Sequence, residues 1–198
     1  MKKKKSALLV IDVINSCSNE ECEIKKWGIS FRKIRKMVPK LQRFIVKYRK
    51  KNIGPVIYVK TVPWRKKYLT KNINKLYENP KKVYYSKDKS GFAEEFYLIK
   101  SEKGDLVVEK NTYSAFATAK LNNFLKKNKV DTLLVAGIFG DGCVDSTIQH
   151  GFAKGYNFII FKDLIETTDV PIRQKIQSLL KERTWPSMFG DVINSKDL

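Results

Sequence analysis

The chain has 198 residues, with 40 Lys and Arg against 20 Asp and Glu, a formal net charge of +20, three cysteines and one histidine. This length suffices to bury a real core in one domain, residues 1–198, without disulfide or metal support, and no apolar run approaches the roughly 20 residues that span a membrane. The odd cysteines, Cys17, Cys22 and Cys143, give no disulfide framework and point to a reducing, cytoplasmic setting, while the lone His150 excludes a histidine-rich metal site.

The elements alternate in type along the chain. After the basic MKKKK, residues 7–12, ALLVID, form a first strand; the apolar run is too short and too soon interrupted by Asp12 for a signal sequence. Phe31, Ile34, Val38, Leu41, Ile45 and Tyr48 then recur at steps of three and four, marking one face of a helix. Gly54 and Pro55 punctuate before a second strand at 55–60. Between 61 and 104 the pattern weakens into a lysine- and tyrosine-rich stretch, too long for a plain loop, which predicts a short helix or two. A third strand follows at 105–110, and Leu121, Phe124 and Leu125 mark a second helix.

The fourth strand, residues 132–138, reads TLLVAGI, a continuous apolar run suited to a parallel strand covered on both faces. It runs into a glycine-rich turn and a helix after Cys143 that carries Val144, Thr147, Ile148, Gly151 and Phe152 and ends near Gly155. A fifth strand lies at 157–161. The last helix, with Pro171 in its first turn, uses Ile172, Ile176, Leu179 and Leu180 as its apolar face, and a terminal strand is expected at 185–188. Strands separated by helices imply an open parallel sheet with right-handed crossovers and helices on both sides, an α/β three-layer α/β/α fold.

Ligands in such sheets bind outside the carboxyl ends of the strands. Asp12 closes the first strand, Lys110 closes the third and Cys143 follows the fourth, so the fold brings all three to one edge. A carboxylate there accepts a thiol proton and returns it to a leaving amine, while an ammonium favours both the ionised carboxylate and the thiolate. A helix starting near Cys143 adds its own preference for a thiolate and for an oxyanion beside it. His150 stands seven positions further on, about two turns away, too far to serve as base. Singly, each residue has a plain structural role open to it: Asp12 as a cap, Lys110 as a solvated lysine, Cys143 as a small core residue.

Taken together, ALLVIDVIN, SGFAEEF, VVEKNTYSAF, VAGIFGDGCVDST and GFAKGY, in this order and spacing, resemble the isochorismatase-like cysteine hydrolases, which include nicotinamidases, N-carbamoylsarcosine amidases and ureidoacrylate amidases. The resemblance runs from Ala7 to about Asp163. It implies a six-stranded, Rossmann-like parallel sheet, Cys143 as nucleophile, Asp12 as general base and acid, and Lys110 holding both in charged form. It implies further a cis peptide at Ile138-Phe139 and an oxyanion hole made by the amides of Phe139 and Cys143. Ile14, Trp64, Tyr113, Phe116 and Phe139 become candidate pocket walls, with Trp64 the best placed to stack on a substrate. No cofactor and no metal are implied, and the family commonly forms homodimers or homotetramers.

Two positions depart from the family pattern: Ile14 replaces the usual glutamine and Gly140 the usual threonine, while Asn15 and Asp141 are kept. After the second strand, TVPWRKKYLT lacks the aspartate and histidines of metal-dependent nicotinamidases. The expected activity is hydrolysis of a C–N bond in a small amide or ureido compound through a thioester. One alternative is a vinyl-ether hydrolase of the isochorismatase type, which needs Asp12 and Lys110 alone. Another is a non-catalytic basic module for nucleic acid or acidic partners. Lysine is scattered over almost every segment, with short runs at 2–5, 50–51, 65–67 and 81–82, and greatly outnumbers arginine, the residue suited to bidentate phosphate and base contacts. A solvated lysine surface with only weak, non-specific nucleic-acid binding is the expectation.

Overall fold

Alternation along the strands decides which side chains build which layer. A computed structural model describes residues 5–25, 28–79, 81 and 84–198; Lys2 to Lys4 and Lys82 of the basic runs lie outside the described residues. In β1 (Ser6–Ile11), Ala7, Leu9 and Ile11 face one side of the sheet and Leu8 and Val10 the other, and all are buried. Burying each leucine or isoleucine contributes about 1.5–3 kcal/mol. Six strands, β1, β2 (Val56–Thr61), β3 (Leu106–Lys110), β4 (Thr132–Ile138), β5 (Asn157–Glu166) and β6 (Gly190–Ile193), pair in the order β3-β2-β1-β4-β5-β6, every pair parallel.

Helices cover both faces. On one, α1 (Arg32–Lys50) lays Ile34, Val38, Leu41, Phe44, Ile45 and Tyr48 against Leu8, Val10, Tyr58 and Phe161. On the other, α2 (Ala119–Lys127) and α3 (Asp145–Ala153) bring Leu121, Leu125 and Ile148 onto Leu9, Val59, Val135 and Ile160. The segment between β2 and β3 contains a short helix, Lys71–Leu76, and a 3₁₀ turn, Phe92–Glu94, and crosses the carboxyl edge of the sheet. No helix among the described residues is long and apolar enough to cross a membrane.

The carboxyl end of the chain differs from expectation in two ways. Residues Trp185–Met188 form a short helix, and the terminal strand is β6, where Val192 and Ile193 pair with Ile160 and Phe161. Pro186 has no N–H for a ladder but fits a first helical turn, and the buried Trp185 is held by its indole N–H on Asp145 Oδ1 at 2.8 Å. The second difference is in α4 (Pro171–Leu179), where Ile172, Ile176 and Leu179 of the expected apolar face are 61%, 42% and 51% exposed and point away from the core, while Leu180 just after the helix packs against it. The inward face of α4 is polar. Gln174 and Gln177 both bond Glu166, at 3.1 and 2.6 Å, and Arg173 bonds Asp141.

Candidate active site

The first three strands of the site end at one level, and the backbone sets that level closely. Ile11 pairs with Val59 on one side and with Gly137 on the other, while Thr61 pairs with Lys110. At Gly137, which has φ +125°, a Cβ would stand 2.2 Å from Ile11 O, so only glycine lets β1 and β4 approach this closely where they end. Asp12 follows at once in the left-handed region, φ +54°, with its amide donating to Val59 O at 2.9 Å. Aspartate tolerates this region better than most residues.

Asp12, Lys110 and Cys143 meet there. Lys110 Nζ lies 2.8 Å from Asp12 Oδ2, 3.4 Å from Cys143 Sγ and 3.1 Å from Thr112 O, so the ammonium has three partners. Lys110 and Asp12 are both about 1% exposed. Among the described residues no aligned hydrogen-bond donor meets either oxygen of Asp12, so the lysine contact is a charge pair that leaves the carboxylate able to accept a proton. Asp12 and Cys143 together push the Lys110 ammonium pKa upward against the cost of burial.

The sulfur feels opposed influences. Burial pushes the Cys143 thiol up, Lys110 pulls it down and Asp12 pushes it up again, so the net direction is upward. Cys17, which the sequence reading left without a role, stands in the same cavity and is pushed up to about 12 by burial and by Asp12.

A π-turn, Gly140–Val144, leads into α3 and carries the cysteine. The Ile138-Phe139 peptide before it is cis. Phe139 O accepts from the amides of Gly142 and Val144 at 3.0 and 3.1 Å, closing the turn. Asp141 locks the turn to α4: Arg173 donates to it through Nε at 2.7 Å and Nη2 at 2.8 Å, Thr167 Oγ1 donates as well, and the guanidinium lies 4.8 Å from the centre of the Phe139 ring. Gly140 fits its neighbours in turn. A Cβ there would meet Gln177 Oε1 at 2.1 Å, so the space of a larger residue is filled from α4.

A cavity of about 560 Å³ opens onto Asp12 and Cys143. Trp64, Tyr113 and Phe139 line it, with Tyr77, Tyr84 and Glu94 from the segment between β2 and β3. Two expected wall residues are elsewhere. Ile14 is fully buried and bridges to Phe96 in antiparallel fashion, and Phe116, 3% exposed, packs between the rings of His150 and Tyr156 in the core. Both are large apolar side chains beside a strand end, where core and cavity compete for them, and the core took them. His150 is engaged with Ser114 Oγ at 3.1 Å. Among the described residues no three His, Cys, Asp or Glu side chains are grouped to hold a metal ion. Arg173, Thr167 and Glu94 escaped the sequence reading; the retained Asp141 was the one hint that a cation had to arrive from another element.

Fold and site together define an isochorismatase-like α/β protein. The chain superposes on a cysteine hydrolase from Pseudomonas syringae pv. phaseolicola with a TM-score of 0.77 at 19% identity, covering 100% of this chain and 96% of that one. It superposes also on an N-carbamoylsarcosine amidase from Thermoplasma acidophilum, TM-score 0.70 at 22% identity, covering 98% of each. At such identities the likeness speaks for the fold. The chain belongs to the isochorismatase family of hydrolases, whose domain model, described as the isochorismatase domain, matches residues 6–197. Among curated relatives, an N-carbamoylsarcosine amidase of an Arthrobacter species is 44% identical over 62 residues, 31% of this chain and 24% of the relative. A ureidoacrylate amidohydrolase of Methylorubrum extorquens is 32% identical over 74 residues, 37% of this chain and 30% of the relative. A secreted isochorismatase effector of Verticillium dahliae is 24% identical over 163 residues, 81% of this chain and 76% of the relative. The alignments with the two amidases thus span less than a third of those proteins.

Proposed function

We propose that this hydrolase cleaves the C–N bond of a small amide or ureido compound through a thioester on Cys143, without a metal. The observation that carries the reading is the contact of one buried ammonium with both a carboxylate and a sulfur, Lys110 to Asp12 at 2.8 Å and to Cys143 at 3.4 Å, beside an open cavity. Amidase relatives support the choice of bond.

As the substrate carbonyl reaches the sulfur, Asp12 takes the thiol proton and Sγ bonds to the carbonyl carbon, leaving an oxyanion that the amides of Phe139 and Cys143 receive. Lys110 stabilises the negative charge while it sits on sulfur. Collapse of the tetrahedral intermediate breaks the C–N bond, and the amine or ammonia leaves with the proton held by Asp12. Water then attacks the thioester, giving its proton to Asp12; Cys143 Sγ leaves as thiolate, recovers that proton, and the acid is released. Exclusion of bulk water around a buried ion pair makes each of these charge movements count for more than in solution.

The test is a panel of small amides, carbamoyl and ureido compounds assayed for ammonia release, followed by rapid quenching and mass spectrometry. An acyl adduct on Cys143 and loss of turnover in Cys143→Ala are expected. If Cys143→Ala kept full activity on a substrate while Asp12→Asn lost it, the covalent route would be wrong and vinyl-ether hydrolysis would replace it.

A further inference from the structure

Glu94 is a cavity carboxylate that the proposed chemistry leaves unused. It is 9% exposed and lines the same cavity as Cys143. The turn that carries it is held firmly. Asn15 Nδ2 donates to Phe92 O at 2.9 Å, the Asn15 amide donates to Glu95 O at 2.9 Å, and the Tyr97 amide donates to Val13 O at 3.0 Å, fixing the turn to the residues just beyond β1. Asp88 caps it from the other side, accepting from the amides of Ser90 and Ala93, each at 2.8 Å.

The carboxyl group of Glu94 nevertheless accepts no hydrogen bond from another described residue and forms no ion pair among them. Its neighbours in the cavity differ: Asp12 has Lys110, and Asp88 has Ser90 and Ala93. Burial and then Asp88 push the Glu94 carboxyl up, with Arg65 pulling the other way. A largely buried carboxylate without a hydrogen-bonded partner is costly and calls for one.

The surroundings say which partner. Trp64 is fixed by its N–H on Tyr77 Oη at 3.0 Å and lies against Tyr113, ring centres 6.3 Å apart, so the cavity that Glu94 lines also carries a set of aromatic faces. Aromatic faces next to a carboxylate attract cations. Among the described lining residues there is no matching offer for an anion: Arg173 is committed to Asp141 by two hydrogen bonds, and Lys87 is exposed to solvent.

We propose that the substrate carries a cationic nitrogen, an ammonium or guanidinium group, which Glu94 receives within this cavity while the scissile carbonyl lies at Cys143. The proposal rests on the amidase reading above. Its test is a matched series of primary amides with the same chain and three different ends, γ-aminobutyramide, pentanamide and glutaramate, with shorter and longer homologues, assayed for ammonia release.

In the wild-type enzyme kcat/KM is expected to be at least tenfold higher for the ammonium member than for the neutral one, and lowest for the carboxylate. In Glu94→Gln the ratio of ammonium to neutral should fall at least tenfold, through KM, and Glu94→Asp should restore part of it. A wild-type preference for the neutral or anionic member overturns the proposal even if the variants fail to fold, and so does an unchanged ratio in Glu94→Gln. Cys143-dependent release from the neutral or anionic members without that preference sinks the cationic substrate alone. Absence of Cys143-dependent release across the whole series sinks the amidase reading with it.

Discussion

At the scale of single residues, the pairing of Asp12 with Cys143 has a consequence that simple activation of a thiol by a base does not suggest. Asp12 pushes the thiol up while Lys110 pulls it down, so removing the negative charge leaves the ammonium alone beside the sulfur. Asp12→Asn is therefore expected to abolish amide hydrolysis and yet to speed alkylation of Cys143 by iodoacetamide at about pH 7–8, where ordinary thiols are only partly ionised. Peptide mapping of the labelled protein measures both effects in one sample. Slower alkylation in the variant would mean that Asp12 activates the resting thiol instead of restraining it. Cys17, pushed up to about 12, should stay unlabelled under the same conditions.

At the scale of elements, contacts between segments distant in sequence do the positioning. The amino end of α1 has no cap of its own; Asp169 supplies one from beyond β5, accepting from the amides of Arg32 at 2.9 Å and Lys33 at 3.2 Å and from Ser30 Oγ at 2.6 Å. Those donors hold the Asp169 carboxyl below its ordinary range despite burial. A depressed folded pKa means that the stabilisation is complete above the unfolded value, about 3.9, and is lost as pH falls through the folded value. Asp169→Ala is expected to cost about 1–2 kcal/mol at neutral pH by urea denaturation, and the difference from wild type should shrink on acidification. A difference that grew at low pH would contradict the cap. Where β1 meets β4, Gly137→Ala places a methyl 2.2 Å from Ile11 O at a φ few side chains adopt, and is expected to destabilise by about 3 kcal/mol or more. Since the strain falls next to Asp12, activity should drop more than the fraction unfolded accounts for, as parallel circular dichroism and turnover measurements would reveal.

For the whole molecule, the charge of +20 stands in contrast to a cavity lined by Asp12, Glu21, Asp88 and Glu94. The surface is basic and the site carries carboxylates. Dispersed lysines neutralise phosphates without reading bases, so binding to DNA or RNA is expected to be sequence-independent and to weaken roughly tenfold or more between about 50 and 200 mM salt. Fluorescence anisotropy across that range measures it, and tight binding that persisted with a preferred sequence would give the surface a role of its own. A cationic substrate, in turn, meets repulsion from the surface and attraction only inside, so raising salt should increase its on-rate.

The first five strands and the three residues at the strand ends were legible in the sequence, because continuous apolar runs closed by Asp12, Lys110 and a glycine turn carry both the strand and its edge in local pattern. The direction in which α4 faces was not. Its period marks an apolar face, Ile172, Ile176 and Leu179, but the core side went to Arg173, Gln174 and Gln177, since Asp141 and Glu166 offer buried carboxylates that only those side chains match. The upward push on the Cys143 thiol was likewise beyond local reading, because Lys110 argues for a thiolate while burial and Asp12, both set by the tertiary structure, argue against one. The same holds for the cavity walls: sequence brings Ile14, Phe116, Trp64 and Tyr113 alike to strand ends, and close packing alone decides that the first two fill the core while the last two, with Glu94, face the cavity.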